Sequence, residues 1–87
     1  MFLHLGDDNA VLKKDIVGIF DVKTMAAKST REFMEIAKDE GFIIRICEPN
    51  KEKSIVITSK DIYISPISCN TLKKRAHFRG LAMEEDD

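Results

Sequence analysis

The chain has 87 residues, 44% of them apolar and 33% charged, with a formal net charge of −1. That length gives one domain with a small core, and so small a chain often gains stability by associating with itself. The composition fits a soluble globular protein rather than a disordered one, and no apolar run approaches the roughly 20 residues that span a bilayer.

The near-neutral total hides a division along the chain. Residues 1–41 carry 6 basic and 8 acidic side chains, residues 42–83 carry 8 and 3, and the last four are all acidic. This reads either as a polyanion-binding half with an acidic tail or as a solvated surface with a free end. Met1-Phe2-Leu3-His4 lacks a basic segment followed by a long apolar one, so a cytoplasmic chain without a leader is expected. Cys47 and Cys69 lie far apart with no CxxC spacing, which fits reduced thiols.

In chain order, Met1–Leu5 and Ile16–Phe20 are short β-rich runs whose length suits strands. Between them come a turn at Gly6-Asp7-Asp8-Asn9, a short apolar step at Ala10–Leu12 and the triplet Lys13-Lys14-Asp15. The first twenty residues are expected to form a small meander. Ser29-Thr30-Arg31-Glu32 has the spacing of a capping box, with Ser29 as N-cap. Phe33, Ile36 and Ala37 then form an apolar stripe, and Gly41 stands where a left-handed C′ residue belongs. The spacing predicts a helix over Ser29–Glu40.

Phe42–Cys47 reads as a strand buried on both faces over much of its length, Arg45 excepted. Pro49 marks a turn over Glu48–Lys53. Ser54–Thr58 and Ile62–Ser65 follow as strands, the latter with Ile62 and Ile64 on one face. The short links predict an antiparallel meander of three strands over 42–65. Pro66 stops the last strand. Ser68 is a candidate N-cap for a second helix running through Leu72 to His77, with Leu72 and Ala76 inward.

The fold class expected is α+β: a mostly antiparallel sheet packed by the main helix, with a short C-terminal helix at its edge. One domain over residues 1–82 and an acidic tail over 83–87 complete the organisation.

Little here carries chemistry. His4 and His77 stand apart from any cysteine at metal spacing. Asp7 and Asp8 read as turn formers beside Gly6 and Asn9, and Cys47 as a small apolar residue. Ser65 and Ser68 have no base in view, and no phosphate loop or dinucleotide fingerprint occurs. No enzyme, cofactor, metal or small-molecule substrate is expected. What remains is basic: Lys13-Lys14 on a bend, Lys51 and Lys53 on a turn, and a denser run of Lys73, Lys74, Arg75, His77 and Arg79. On a helix Lys73, Lys74 and Arg75 fan over more than half the circumference. That run reads either as a phosphate contact or as a solvated helix face.

Taken together, LHLGDDNAVLKKDIVGIFD at 3–21, KSIVITSKDIYISPIS at 53–68 and TLKKRAHF at 71–78 resemble the RemB branch of the RemA-like family. These are small Firmicute regulators of extracellular-matrix (biofilm) genes. The resemblance spans about the first 80 residues and is loosest between Val22 and Lys51. It implies a small α+β domain of a DNA-binding fold related to the LytTR type. It also implies assembly into homo-oligomeric rings and activation of matrix operons through outer-surface arginines that bind promoter DNA. Those arginines belong on the bend before the second apolar run and in the loop before the SIVI strand. Aligned, the bend arginine falls on Asp15, beside Lys14, and the loop pair falls on Asn50 and Lys51. Lysine meets phosphate as a point charge without the arginine fork, and Asp15 and Glu52 repel the backbone.

With the charge reading, the residues expected to meet DNA are Lys13, Lys14, Lys51, Lys53, Lys73, Lys74 and Arg75. The partners expected are DNA and further copies of the chain, not a membrane. A second reading, of an assembly partner for a RemA-type paralogue that does not itself bind DNA, rests on the missing arginines and the acidic tail.

Overall fold

A computed structural model describes residues 1–76. The expected domain end at residue 82, the acidic tail, His77 and Arg79 lie outside the described residues. Strands β1 (Phe2–Gly6) and β2 (Asn9–Leu12) pair antiparallel around the turn, placing Leu3 opposite Val11 and His4 opposite Ala10. Asp7 takes the left-handed conformation in that turn, one that an Asp side chain tolerates. The apolar step at Ala10–Leu12 is thus a strand.

The opening does not make one meander. A 3-10 turn over Lys13–Asp15 redirects the chain, and β3 (Ile16–Asp21) joins a second sheet. That sheet has four strands: β3, β4 (Ile43–Arg45), β5 (Ser54–Thr58) and β6 (Ile62–Ser65), in the order β3-β5-β6-β4. β3 pairs antiparallel to β5, and β5 to β6. On β3, an added Cβ at Gly18 would sit 2.7 Å from the Phe20 ring, so the glycine makes room for that ring to lie across it.

Of the expected three-stranded antiparallel meander, only the β5–β6 pair forms as such. β4 runs parallel to β6, with Ile43 opposite Ile62 and Arg45 opposite Ile64, and never touches β5 in the ladder. The short links misled because β5 itself, lying one position away, makes the return trip, so no crossover helix is needed. β4 is an edge strand rather than one buried on both faces: Ile43 and Ile44 are half-buried and Arg45 is exposed.

Helix α1 (Lys28–Asp39) begins one residue early and without the expected box. Its N-cap is Ala27, no side chain caps it, and Ser29 lies inside the first turn. The 3-10 segment Val22–Ala26 feeds straight into the helix, and the Arg31 guanidinium donates to the Ala26 carbonyl at 2.7 Å. The far end forms as expected. Gly41 has φ of +81°, its amide meets the Lys38 carbonyl, and the Phe42 amide meets that of Ala37. This is a Schellman closure.

Of the expected stripe on α1, Ala37 faces inward, but Phe33 and Ile36 do not. Met34 and Ala37 are buried against Ile55, Ile62 and Ile64, while Phe33 is 49% and Ile36 64% exposed. Spacings of three serve Met34/Ala37 as well as Phe33/Ile36, and docking on the sheet decided between them. Ile62 and Ile64 do share one face, as their alternation predicts.

The opposite face of the sheet holds the second core. Leu3, Leu5, Val11, Ile19, Ile46 and Val56 pack there with Cys69, Leu72 and Ala76 of α2 (Cys69–Ala76). Ser68 caps α2 as expected, its hydroxyl oxygen accepting the Thr71 amide at 3.2 Å. The domain therefore has three layers: α1, the four-stranded sheet, then the β1–β2 hairpin with α2. The C-terminal helix is not at the sheet edge but on the face opposite α1.

Candidate nucleic-acid interface

The seven basic residues singled out by sequence fall into three separate places. Lys13 and Lys14 sit on the 3-10 turn that joins β2 to β3, Lys13 half-buried and Lys14 exposed. The turn is held from both sides. The Lys13 amide donates to the Met1 carbonyl, and the Ser59 amide donates to the Asp15 carbonyl, each at 2.9 Å. The second bond draws in the β5–β6 turn and with it the exposed Lys60, a basic residue that the charge runs did not single out.

Lys51 and Lys53 are exposed on the loop before β5. Asn50 turns that loop with φ of +69°, and the Lys51 amide closes it onto the Glu48 carbonyl at 3.1 Å. The main chain of Lys53 is fixed on both sides, its amide to Ser65 and its carbonyl to Val22.

Because β3 and β5 run antiparallel with Ile16 opposite Thr58 and Asp21 opposite Ser54, the two lysine loops lie at opposite ends of that ladder. Five residue steps of strand separate them by roughly 17 Å, more than the ~12 Å width of a B-DNA major groove. One subunit cannot set both pairs on a single phosphate cluster.

Glu52, expected to repel a polyanion, is engaged within the domain. Its carboxylate pairs with the exposed Arg45 guanidinium of β4. The hydrogen bond from Arg45, helped by main-chain amides and by the charge of Arg45, holds the Glu52 carboxyl below the usual carboxylate range. In the sequence Arg45 stands out only as a charge in an apolar run. The parallel β4–β6 ladder, which no local signal announced, is what brings it to this loop.

Lys73, Lys74 and Arg75 occupy the last turn of α2 and are all exposed. No acidic residue occurs between Asp61 and Glu84.

The other candidates are structural. Ser65 is fully buried and hydrogen-bonded, Ser68 is a cap, and His4 is exposed on the outer side of β1. Asp7 and Asp8 are exposed at the hairpin turn, and no metal-holding group of side chains occurs among the described residues. Cys69 is buried with Sγ 3.6 Å from the Ile19 carbonyl, and half-buried Cys47 packs beside the α1 core. No helix among the described residues is long and apolar enough to cross a membrane.

Comparison with known proteins gives two findings. The chain matches the RemA-like family, described as extracellular matrix regulatory protein A-like, over residues 2–76. It is also 45% identical over 78 residues to extracellular matrix regulatory protein B of Bacillus subtilis (strain 168), covering 90% of this chain and 93% of that protein.

Proposed function

The chain belongs to the RemA-like family, and from that premise we propose that it is a cytoplasmic regulator of extracellular-matrix genes. It acts by binding promoter DNA as a homo-oligomeric ring, with no catalytic step. The observation that carries this reading is the near full-length similarity to a protein named as a matrix regulator.

The geometry supports it in two ways. Lys14, Lys51 and Lys53 project from main-chain segments fixed by hydrogen bonds, so little loop entropy is lost when they meet phosphate. The Arg45–Glu52 pair also takes one acidic charge out of the loop's balance. With the two lysine pairs at opposite ends of a ladder, each subunit touches few phosphates. Repetition of the subunit around a ring then supplies affinity through effective concentration. The reading is tested by fluorescence anisotropy of a labelled AT-rich duplex at several salt concentrations. Expected is binding whose log K falls steeply with log salt; no binding at low salt by folded, assembled protein overturns it.

One observation favours a second reading. The positions where the family resemblance places arginines hold Asp15, Asn50 and Lys51, and the nearby Arg45 is occupied by Glu52. On that reading the chain joins assemblies of a RemA-type paralogue and leaves DNA contact to it. Co-purification with the paralogue together with absent duplex binding supports this reading. Absence of a stable complex in a lysate holding the paralogue counts against it.

A further inference from the structure

Helix α1 presents a surface that the domain itself does not cover. Phe33 and Ile36 are 49% and 64% exposed, and Phe42, just past the helix, is 47% exposed. Around them on the same arc of the helix stand Glu32, Asp39 and Glu40, all exposed. At 100° per residue, Glu32, Phe33, Ile36, Asp39 and Glu40 fall within about 120° of one another, and no lysine or arginine shares that arc beyond the first turn. Lys38 and Arg31 lie on the other flank. The result is an apolar strip whose helix side is rimmed by carboxylates, with Lys60 and Asp61 of the β5–β6 turn, opposite in sign, along its other side.

Across the sheet, α2 shows the opposite character. Its inward residues are Cys69, Leu72 and Ala76, which turns Lys74 outward with Lys73 and Arg75 on either side. These side chains suit the α1 strip in chemistry as well as sign. Their aliphatic stems cover apolar surface, their charged heads favour the faces of Phe33 and Phe42, and they reach carboxylates beyond. The two helices cannot meet within one chain, because α1 and α2 lie on opposite faces of the four-stranded sheet.

We propose that a second copy of this chain covers the strip, seating its α2 and the trio Lys73, Lys74 and Arg75 on Phe33, Ile36 and the carboxylates Glu32, Asp39 and Glu40. Complementary patches on opposite faces of one subunit make a head-to-tail contact, which closes into a ring or runs on as a filament. The inference rests on the self-association in the proposed function, not on DNA binding. It assigns the α2 cluster to the neighbouring subunit and leaves DNA to the lysine loops.

The test uses charge reversal in the full chain, read by light scattering and by duplex anisotropy. One variant carries Glu32→Lys and Asp39→Lys, the other Lys74→Glu and Arg75→Glu. Each alone opposes like charges across the contact, so its mass falls to that of one chain. Mixed in equal amounts they restore opposite charges at every junction, and the assembled mass returns. The chain carrying all four changes also assembles, its polarity inverted. These two rescues exclude misfolding as the cause of the single-variant losses. Retention of the assembled mass by either variant alone overturns the contact, as does failure of the mixture to reassemble. A Lys74→Glu, Arg75→Glu variant that stays assembled but loses the duplex puts α2 on DNA instead. A wild-type chain that stays monomeric removes self-association itself, a result distinct from the other failures.

Discussion

The Ser65 hydroxyl donates to the Leu5 carbonyl at 2.6 Å across 60 positions of sequence, and both residues are fully buried. The same oxygen accepts the Ile67 amide at 3.0 Å. Opposite it in the β5–β6 ladder, Ser54 is equally buried and donates to the Ile67 carbonyl at 2.7 Å. Two small hydroxyls thus fasten the N-terminal hairpin and the approach to α2 onto one end of the sheet.

Ser65→Ala leaves the Leu5 carbonyl and the Ile67 amide without that partner in a dry site. The expected loss is about 1–3 kcal/mol, read as a lower midpoint in urea unfolding. Ser68→Ala, at the half-buried cap, is expected to cost nearer 1 kcal/mol. A loss below about 0.5 kcal/mol for Ser65→Ala would deny Ser65 its fastening role.

Leu72 is fully buried where α2 meets the hairpin and Val56. Leu72→Ala is expected to cost about 2–5 kcal/mol, a large part of the stability of so small a domain. Calorimetry checks it. A loss below about 1 kcal/mol would mean that α2 is only loosely attached.

At Gly41 the space around an added Cβ is empty, so only the left-handed backbone resists a side chain. Gly41→Ala is therefore expected to cost about 1 kcal/mol, and Gly41→Asn less, since asparagine tolerates that conformation. Thermal melts of the pair separate the two.

The Arg45–Glu52 pair has a pH signature. The folded-state pKa of Glu52 lies below its ordinary value of 4.5. Its stabilising contribution is therefore present above that value and lost as pH falls through the folded one. Amide exchange in the Asn50–Lys53 loop is expected to quicken as pH falls below 4.5 and through the folded-state value, after correction for intrinsic rates. Glu52→Gln should show the faster exchange already at neutral pH; a loop as protected as wild type in that variant would show that the pair does not order it.

For DNA, replacing Lys13, Lys14, Lys51 and Lys53 together with Ala should weaken binding and flatten the plot of log K against log salt. The slope changes by about 0.9 for each phosphate that is no longer neutralised. An unchanged slope would remove these residues from the interface.

The elements of this domain were legible where local chemistry decides them. Gly41 closed α1, Ser68 opened α2, and the β-branched run Ser54–Thr58 made a strand. What escaped was decided by distant partners. The Ser29-x-x-Glu32 spacing satisfied the capping rule, yet the preceding 3-10 segment carried the chain into α1 one residue early. Phe33 and Ile36 stood at helical spacing with Ala37, and only the sheet beneath settled that Met34 rather than they went inward beside it. The parallel β4–β6 ladder left no trace in link lengths. Among candidate interface residues, the three basic clusters were visible as charge runs, but their placement at opposite ends and faces of the domain was not. Nor was the engagement of Glu52 by Arg45, since it depends on that same ladder.

The strand order has a consequence for how the molecule is made. Among the described residues β6 is the last strand to be synthesised, yet it occupies an interior position in the sheet, between β5 and β4. A nascent chain that has delivered α1 and β4 holds a helix whose floor, Ile55, Ile62 and Ile64, does not yet exist, and a strand whose ladder partner is nearly twenty residues away. No stable half of the domain waits at the ribosome. Its apolar residues stay accessible to chaperones and proteases until β6 and then α2, through Ala76, have emerged to complete both cores.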